Sequence, residues 1–245
     1  MLIDQDSGIL LRTIDSTNTY CKKKEVPIGY WVLADEQTAG RGRHGRVWLS
    51  QGDEKIFFSA KFTLDKLESS ISILSLLIGS AVLKTLQNYF PEQKNQLSLK
   101  WPNDIYLGNK KVSGILIESE SIEEKTVFIA GIGINLYGKE KLETSDYVSQ
   151  KPIGKDFKQK LIFSLIAYIN EIEWILQNTN LLSNEIQWIY ENSLLKNKKI
   201  ETTDNGRNLS GIVTGYDRNG FLIVKITDGN LVSLMDTGPD FKVGL

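Results

Sequence analysis

A chain of 245 residues, in which 29 lysines and arginines meet 30 aspartates and glutamates, is long enough for one large domain or for a medium domain with a small appendage. The formal net charge of −1 argues against a generally polyanion-binding surface, so any basic site is local. One cysteine, Cys21, and one histidine, His44, exclude an intramolecular disulfide and a multi-cysteine or multi-histidine metal centre, and leave only His44 for any Ser-His-Asp arrangement.

The first residues, MLIDQDSGILLRTID, carry aspartates where a signal peptide carries positive charge and contain no adequate apolar run, so a cytoplasmic protein is expected. GILLRTI (8–14) reads as a strand, and Asp15-Ser16-Thr17 as a helix start. YWVLADEQ (30–37) is a second strand running into TAGRGRHGRVW (38–48), and KIFFSAKFTL (55–64) a third. Dense apolar positions over 68–90 predict a helix ending at Tyr89-Phe90-Pro91. Its uncharged stretch, Ser69 to Leu83, is shorter than the ~20 residues of a membrane span and is dotted with serines, so it reads as a buried core helix with no membrane partner.

LSLKW (97–101), DIYLG (104–108), KVSGILIES (111–119) and TVFIAGIGINL (126–136) are strand-like, with a hairpin turn expected at Asn109-Lys110. Residues 137–150 are polar enough for a mobile loop. Apolar residues at three- and four-residue intervals over 155–195 predict two helices, FKQKLIFSLIAYINEIEWIL and SNEIQWIYENSLL. From Lys196 short strands return, separated by turns at Asp204-Asn205-Gly206 and Asp228-Gly229. The expected division is therefore a mixed α/β domain, 1–195, and a small all-β barrel, 196–245. The second has too little sequence for much core of its own and should pack on the first.

In GRGRHGR, Gly40, Gly42 and Gly45 alternate with Arg41, Arg43 and Arg46. Glycine permits close backbone approach, and each arginine offers a fork of donors for a carboxylate or phosphate. The segment can close on a small anion, or it can be a solvated turn with weak RNA affinity. It occurs once, between two apolar strands, which favours the ligand loop. His44 among arginines would be kept neutral and has no obvious acid to orient it. In KWPNDIYLGNKKVSGILIE, a hairpin from Asp104 to Gly114 would bring Asp104 and Lys111 together, and Gly114 within an apolar strand marks a close approach to the backbone. Ser16-Thr17-Asn18 is by default a helix cap, or else a set of polar groups for a head group. No segment fits a phosphate-binding P-loop, and GIGIN (131–135) lacks the third glycine of a dinucleotide fingerprint.

STN, EQTAGRGRHGRVW, KWPNDIYLGNKKVSGILIE and GIGIN, in this order and spacing, with GIVTGYDRNGFLIV near the C-terminus, resemble the biotin–protein ligases. The resemblance implies an α/β (α+β) class II synthetase-like catalytic domain with a mixed sheet, followed by an SH3-like β-barrel. It implies that biotin and MgATP form biotinyl-5′-AMP. A lysine of a biotin carboxyl carrier domain, of acetyl-CoA carboxylase or a related biotin enzyme, then takes the biotin.

By the same resemblance Ser16, Thr17, Asn18, Gln37, Gly40, Arg41, Gly42, Arg43, Lys111, Gly114 and Leu116 are expected at biotin. Arg41, Arg43, Arg46, Trp48, Lys100, Asn103, Lys111 and Asn135 are expected at ATP. Lys111, Arg43 and Asp104 are expected to serve the chemistry, with Mg²⁺ on the phosphates and no ligands assigned to it. Some members begin with a DNA-binding winged helix; in this chain STN begins at residue 16, so a monofunctional ligase without DNA binding is expected, as monomer or homodimer. Rivals are a lipoate–protein ligase, a related octanoyltransferase with a cysteine nucleophile, and an RNA-binding module built on the arginine loop.

Overall fold

Ile56, Phe58, Ala60 and Phe62 on strand β3 (Glu54–Thr63) point into one core, while Phe57, Ser59 and Lys61 point to the opposite face and are equally buried. That two-residue period with both faces covered marks a central strand. The computed structural model describes residues 1–48, 54–64, 71–122, 125–140, 143–204, 207–236 and 240–244. Within these, β3 is an interior strand, third in order, of a seven-stranded sheet with β1 (Gly8–Ile14), β2 (Trp31–Gln37), β4 (Leu97–Lys100), β5 (Asp104–Leu107), β6 (Lys110–Ile122) and β7 (Lys125–Tyr137). The order is β1-β2-β3-β7-β6-β5-β4; β1 and β2 are parallel and the remaining neighbours antiparallel. This is the mixed sheet that the resemblance implies.

Helix α1 (Thr17–Cys21) lies on one face against β3 and β7, where Cys21, Val32 and Ile129 form a small cluster. Helix α2 (Ile71–Tyr89) covers the other face, and its apolar residues join the main core. It is long and apolar enough to cross a membrane, but 72% of that window is buried inside the protein. Residues 68–70, where the sequence starts this helix, lie outside the described residues.

Region 155–195 differs from the expected two helices. Among the described residues it holds α3 (Lys155–Asn170), α4 (Ile172–Gln177) and α5 (Thr179–Glu191). At Glu171 the chain tightens, its amide donating to Tyr168 O at 3.3 Å, which breaks one long run into two. Asn178 then opens α5, its side chain accepting from the amides of Asn180 and Leu181. The helix stops at Glu191 because the next residues join the sheet edge: Leu99 donates to Asn192 O and Leu194 to Leu99 O, both at 2.9 Å.

The C-terminal strands β8 (Lys199–Asp204), β9 (Arg207–Tyr216), β10 (Leu222–Ile226), β11 (Leu231–Leu234) and β12 (Lys242–Val243) form a second, antiparallel sheet, ordered β11-β10-β9-β8-β12. Its buried Ile200, Val213, Tyr216, Leu222, Val224 and Leu234 merge with the main core. Trp101, 1% exposed, donates its indole N–H to Gly220 O at 2.9 Å, and Ser193 Oγ lies 2.7 Å from Tyr216 Oη. The small sheet thus borrows the core it could not build alone. Of the turn expected at 204–206, residues 205–206 lie outside the described residues.

Candidate active site

The α1 face of the sheet is hollowed by glycine. On β7, Gly131 and Gly133 alternate with Ala130, Ile132 and Ile134 of the core. On β6, Gly114, Leu116 and Glu118 share the same face while Ile115 enters the core. A cavity of about 160 Å³ lies there, floored by Gly114, Gly131 and Gly133.

Lys111 reaches this cavity through an irregularity. Ile105 pairs with Ser113 but Tyr106 with Lys111, leaving Val112 as an extra residue of β6. This bulge reverses the alternation, so Val112 enters the core and Lys111 joins Gly114 on the pocket side. The hairpin turn is Gly108-Asn109, with Leu107 paired to Lys110, one residue earlier than expected; Gly108 adopts the positive φ of 56° that the turn requires. Lys111 Nζ lies 2.6 Å from Asp104 Oδ1 and 5.2 Å from the Trp48 ring centroid.

The glycine–arginine segment is an ordered hairpin. Trp48 donates to Gly40 O at 2.9 Å, Arg41 bridges Val47, and Gly42 donates to Arg46 O at 2.7 Å. His44 and Gly45, with φ of 54° and 71°, turn its tip. The hairpin returns Trp48 to the floor, where a β-carbon on Gly133 would stand 2.6 Å from its indole and one on Gly114 2.7 Å from it. Arg41 donates to Glu118 at 3.1 Å, and Arg43 to Asp236 at 2.9 Å. His44 Nε2 also lies 3.4 Å from Asp236 Oδ2, so an acid does stand beside it, supplied from beyond β11, where local sequence could not reveal it.

The α1 N-terminus supplies a chain of polar groups to the same cavity, and Arg41 of the loop also donates to Thr19 Oγ1 of this helix at 3.3 Å. The Thr17 amide and hydroxyl both donate to Gln37 Oε1, at 2.7 and 3.0 Å. Ser59 Oγ lies 2.7 Å from Thr17 Oγ1 and 2.6 Å from Asn18 Oδ1. Asn18 Nδ2 donates to Glu118 at 2.8 Å and faces Leu116 O at 3.3 Å, and Ser16 caps the helix through the Thr19 amide. Burial works against the Glu118 carboxylate, but hydrogen bonds from Lys22 and Asn18 and the Arg41 and Lys22 charges outweigh it and hold its pKa below the usual range.

Fourteen of the expected residues therefore border one cavity: Ser16, Thr17, Asn18, Gln37, Arg41, Gly42, Arg43, Arg46, Trp48, Asn103, Asp104, Lys111, Gly114 and Leu116. Three do not. Gly40 is buried behind Trp48 and Gln37. Lys100 turns to Tyr106, whose hydroxyl accepts at 3.3 Å. Asn135 donates to Asp146 O at 3.3 Å and so clips residues 143–149 to the sheet. The loose segment expected there is instead pinned. Asp146 donates to Lys111 O and Val148 to Asn135 O, and Tyr147 and Val148 are buried; residues 141–142 lie outside the described residues. Reading by motif missed Phe57, Ser59, Glu118, Gly131 and Gly133, although counting by twos from Gly114 and along GIGIN finds the last three.

Cys21 is fully buried, and burial pushes its thiol up to about 12 despite the Lys61 charge. Cys21→Ala is therefore expected to leave turnover within about twofold of the parent, because an inert thiol performs no chemistry. Loss of activity with the fold intact would instead support an acyl-enzyme through this cysteine.

The family model of the biotin/lipoate A/B protein ligases matches residues 10–135. The bifunctional ligase/repressor BirA of Escherichia coli is 26% identical over 231 residues, spanning 91% of this chain and 70% of that protein. The biotin–[acetyl-CoA-carboxylase] ligase of Paracoccus denitrificans is 34% identical over 133 residues, 53% of this chain and 54% of that one. The biotin protein ligase of Aquifex aeolicus in complex with biotin and ATP superposes with a TM-score of 0.78 at 26% identity, covering 98% of this chain and 99% of that one.

Proposed function

This chain belongs to the biotin/lipoate A/B protein ligase family, and from that premise we propose how its pocket acts. It is a biotin–[acetyl-CoA-carboxylase] ligase that uses biotin and ATP. The observation that carries the site reading is the convergence of Lys111, Arg41 and Arg43 on a glycine-floored pocket that Thr17, Asn18 and Gln37 also line.

Adenylation joins two anions. A carboxylate oxygen of biotin attacks the α-phosphorus, the bond to the β-phosphate breaks, and pyrophosphate leaves with both electrons. No side-chain base is needed; the obstacle is charge repulsion, which fixed cations lower. Lys111, projecting between Asp104 and Trp48, neutralises the meeting point of carboxylate and α-phosphate. Arg43 and Arg46 hold phosphate oxygens, and Arg41 closes the biotin side. Thr17, Asn18 and Gln37, oriented by Ser59 and Glu118, read the polar head of biotin. Mg²⁺ enters with ATP as part of the substrate, and Asp104 is the carboxylate in the pocket lining suited to meet it. The hairpin over the pocket keeps water from the mixed anhydride. The ε-amine of a carrier-domain lysine then attacks the anhydride carbonyl, AMP leaves, and the amine sheds a proton.

We also propose that residues 1–195 form the catalytic unit and 196–245 the appended one, that the acceptor is a biotin carboxyl carrier domain, and that the protein works in the cytoplasm. The test is ATP–pyrophosphate exchange with biotin, with lipoate as control. Exchange with biotin alone is the expected result; exchange with lipoate alone would keep the chemistry and change the substrate.

A further inference from the structure

The hairpin from Gly40 to Trp48 has a shape of its own but little to fix its tilt. Its cross-strand hydrogen bonds join it only to itself. At its tip Gly45 has open space around it, and Val47 is 69% exposed. Among the described residues, two anchors orient it. At the base, Trp48 lies on the glycine floor and Arg41 meets Glu118. At the tip, Arg43 and His44 both meet Asp236. Asp236 lies 193 positions from Arg43, just beyond β11 of the second sheet. It does not line the pocket, and no step of the reaction above uses it.

We propose that Asp236 is a positioning residue: it is the latch by which the C-terminal sheet holds the ligand loop closed. This rests on reading the hairpin as the cover of the pocket. A single carboxylate hydrogen-bonded by Arg43 and standing 3.4 Å from the His44 imidazole suits that task. When a triphosphate draws Arg43 inward, the His44 imidazole still gives Asp236 a partner, so the tip stays tethered while Arg43 turns to the ligand. Without the carboxylate the hairpin pivots on its base, and the adenylate is exposed to water and to amines outside the carrier domain. The small sheet would thereby take part in retaining the intermediate.

The hairpin carries its own reporters, since trypsin cuts after Arg41, Arg43 and Arg46. Proteolysis of a closed segment follows the population of its open form. Full-length protein and its Asp236→Ala variant are digested without ligand, and fragments beginning at Gly42, His44 and Val47 are timed by mass spectrometry. The variant is expected to be cut there about fivefold faster, the size that a half-exposed ion pair supplies, with cleavage elsewhere unchanged. Asp236→Glu should restore protection. At about 1 M salt the parent should approach the variant, because screening then acts within ~3 Å. With biotin and MgATP, Asp236→Ala should also biotinylate added serum albumin faster.

Equal loop cleavage in parent and Asp236→Ala at low salt would overturn the latch. Should Asp236→Ala be cut faster everywhere, Asp236→Asn, which keeps the shape and loses the charge, decides in its place. Absence of biotin-dependent exchange in the parent would overturn the ligase reading instead, and the tryptic comparison would still stand.

Discussion

Lys111→Ala is expected to lower biotin-dependent pyrophosphate exchange by about 10²–10³-fold, the usual loss on removing one preorganised charge-stabilising donor. The melting temperature should fall as well, because the Lys111 and Asp104 side chains are only 29% and 21% exposed and the change leaves a mostly buried carboxylate without its cation. Removal does more than delete a donor: it leaves Asp104, formerly 2.6 Å from the ammonium, as a bare negative charge where two further anions must meet. Two explanations of a dead variant therefore compete. Lys111 either acts on the substrates or only masks Asp104.

The double variant Lys111→Ala/Asp104→Asn, set beside Asp104→Asn alone so that any loss of Asp104's own role cancels, separates them. If Lys111 merely masks, the double variant exchanges as well as Asp104→Asn. If Lys111 bridges carboxylate and α-phosphate, the double variant falls far below Asp104→Asn, and that is the outcome expected. Lys111→Arg is no conservative substitute, since the planar fork is wider than the ammonium and would press on the Trp48 ring.

Local chemistry was legible in the sequence where the function is local. The arginine–glycine segment, the STN helix start and the hairpin from Asp104 to Gly114 could each be named, because their residues lie within a few positions of one another. The sheet was legible for a similar reason: KIFFSAKFTL and TVFIAGIGINL are short apolar runs of strand length, and both become interior strands of the sheet. What was not legible depends on partners far along the chain. Asp236 beside Arg43 and Glu118 beside Lys22 are separated by 193 and 96 positions, and nothing in either segment announces the other. The bulge at Val112 is a third kind of gap. Strict alternation from Gly114 would have sent Lys111 into the α2 core; the extra residue sends it to the pocket. Region 155–195 misled for an energetic reason. Apolar periodicity reports the buried face of a helix, but the break at Glu171 and the stop at Glu191 are set by local caps and by hydrogen bonds to the sheet edge.

Gly131→Ala should act on biotin binding more than any other single methyl in the pocket. A β-carbon at 131 would stand 2.2 Å from Asn18 Oδ1 and 2.8 Å from its Cγ, far inside van der Waals contact, so Asn18 must move. It cannot move cheaply. Asn18 is 4% exposed, and its amide is held from both ends: Ser59 Oγ lies 2.6 Å from the oxygen, and the nitrogen donates to Glu118 at 2.8 Å. Displacing it leaves the fully buried Ser59 short of an acceptor, a loss of about 1–3 kcal/mol, and takes one donor from the partly buried Glu118, which keeps Lys22 and Arg41. The part of that loss borne only by the bound state should raise the KM for biotin by about ten- to a hundredfold. The KM for ATP should change less, because the Asn18 amide contacts Ser59, Leu116 and Glu118 rather than Arg43 or Lys111. Gly133→Ala is the comparison. Its methyl would meet the Trp48 indole at 2.6 Å, a side chain carried by the hairpin rather than by the sheet, so the strain can pass into the loop and appear as leaked adenylate. An unchanged biotin KM in Gly131→Ala would remove Asn18 from the biotin end of the pocket and, with it, the Thr17–Ser59–Asn18–Glu118 chain as the reader of the polar head.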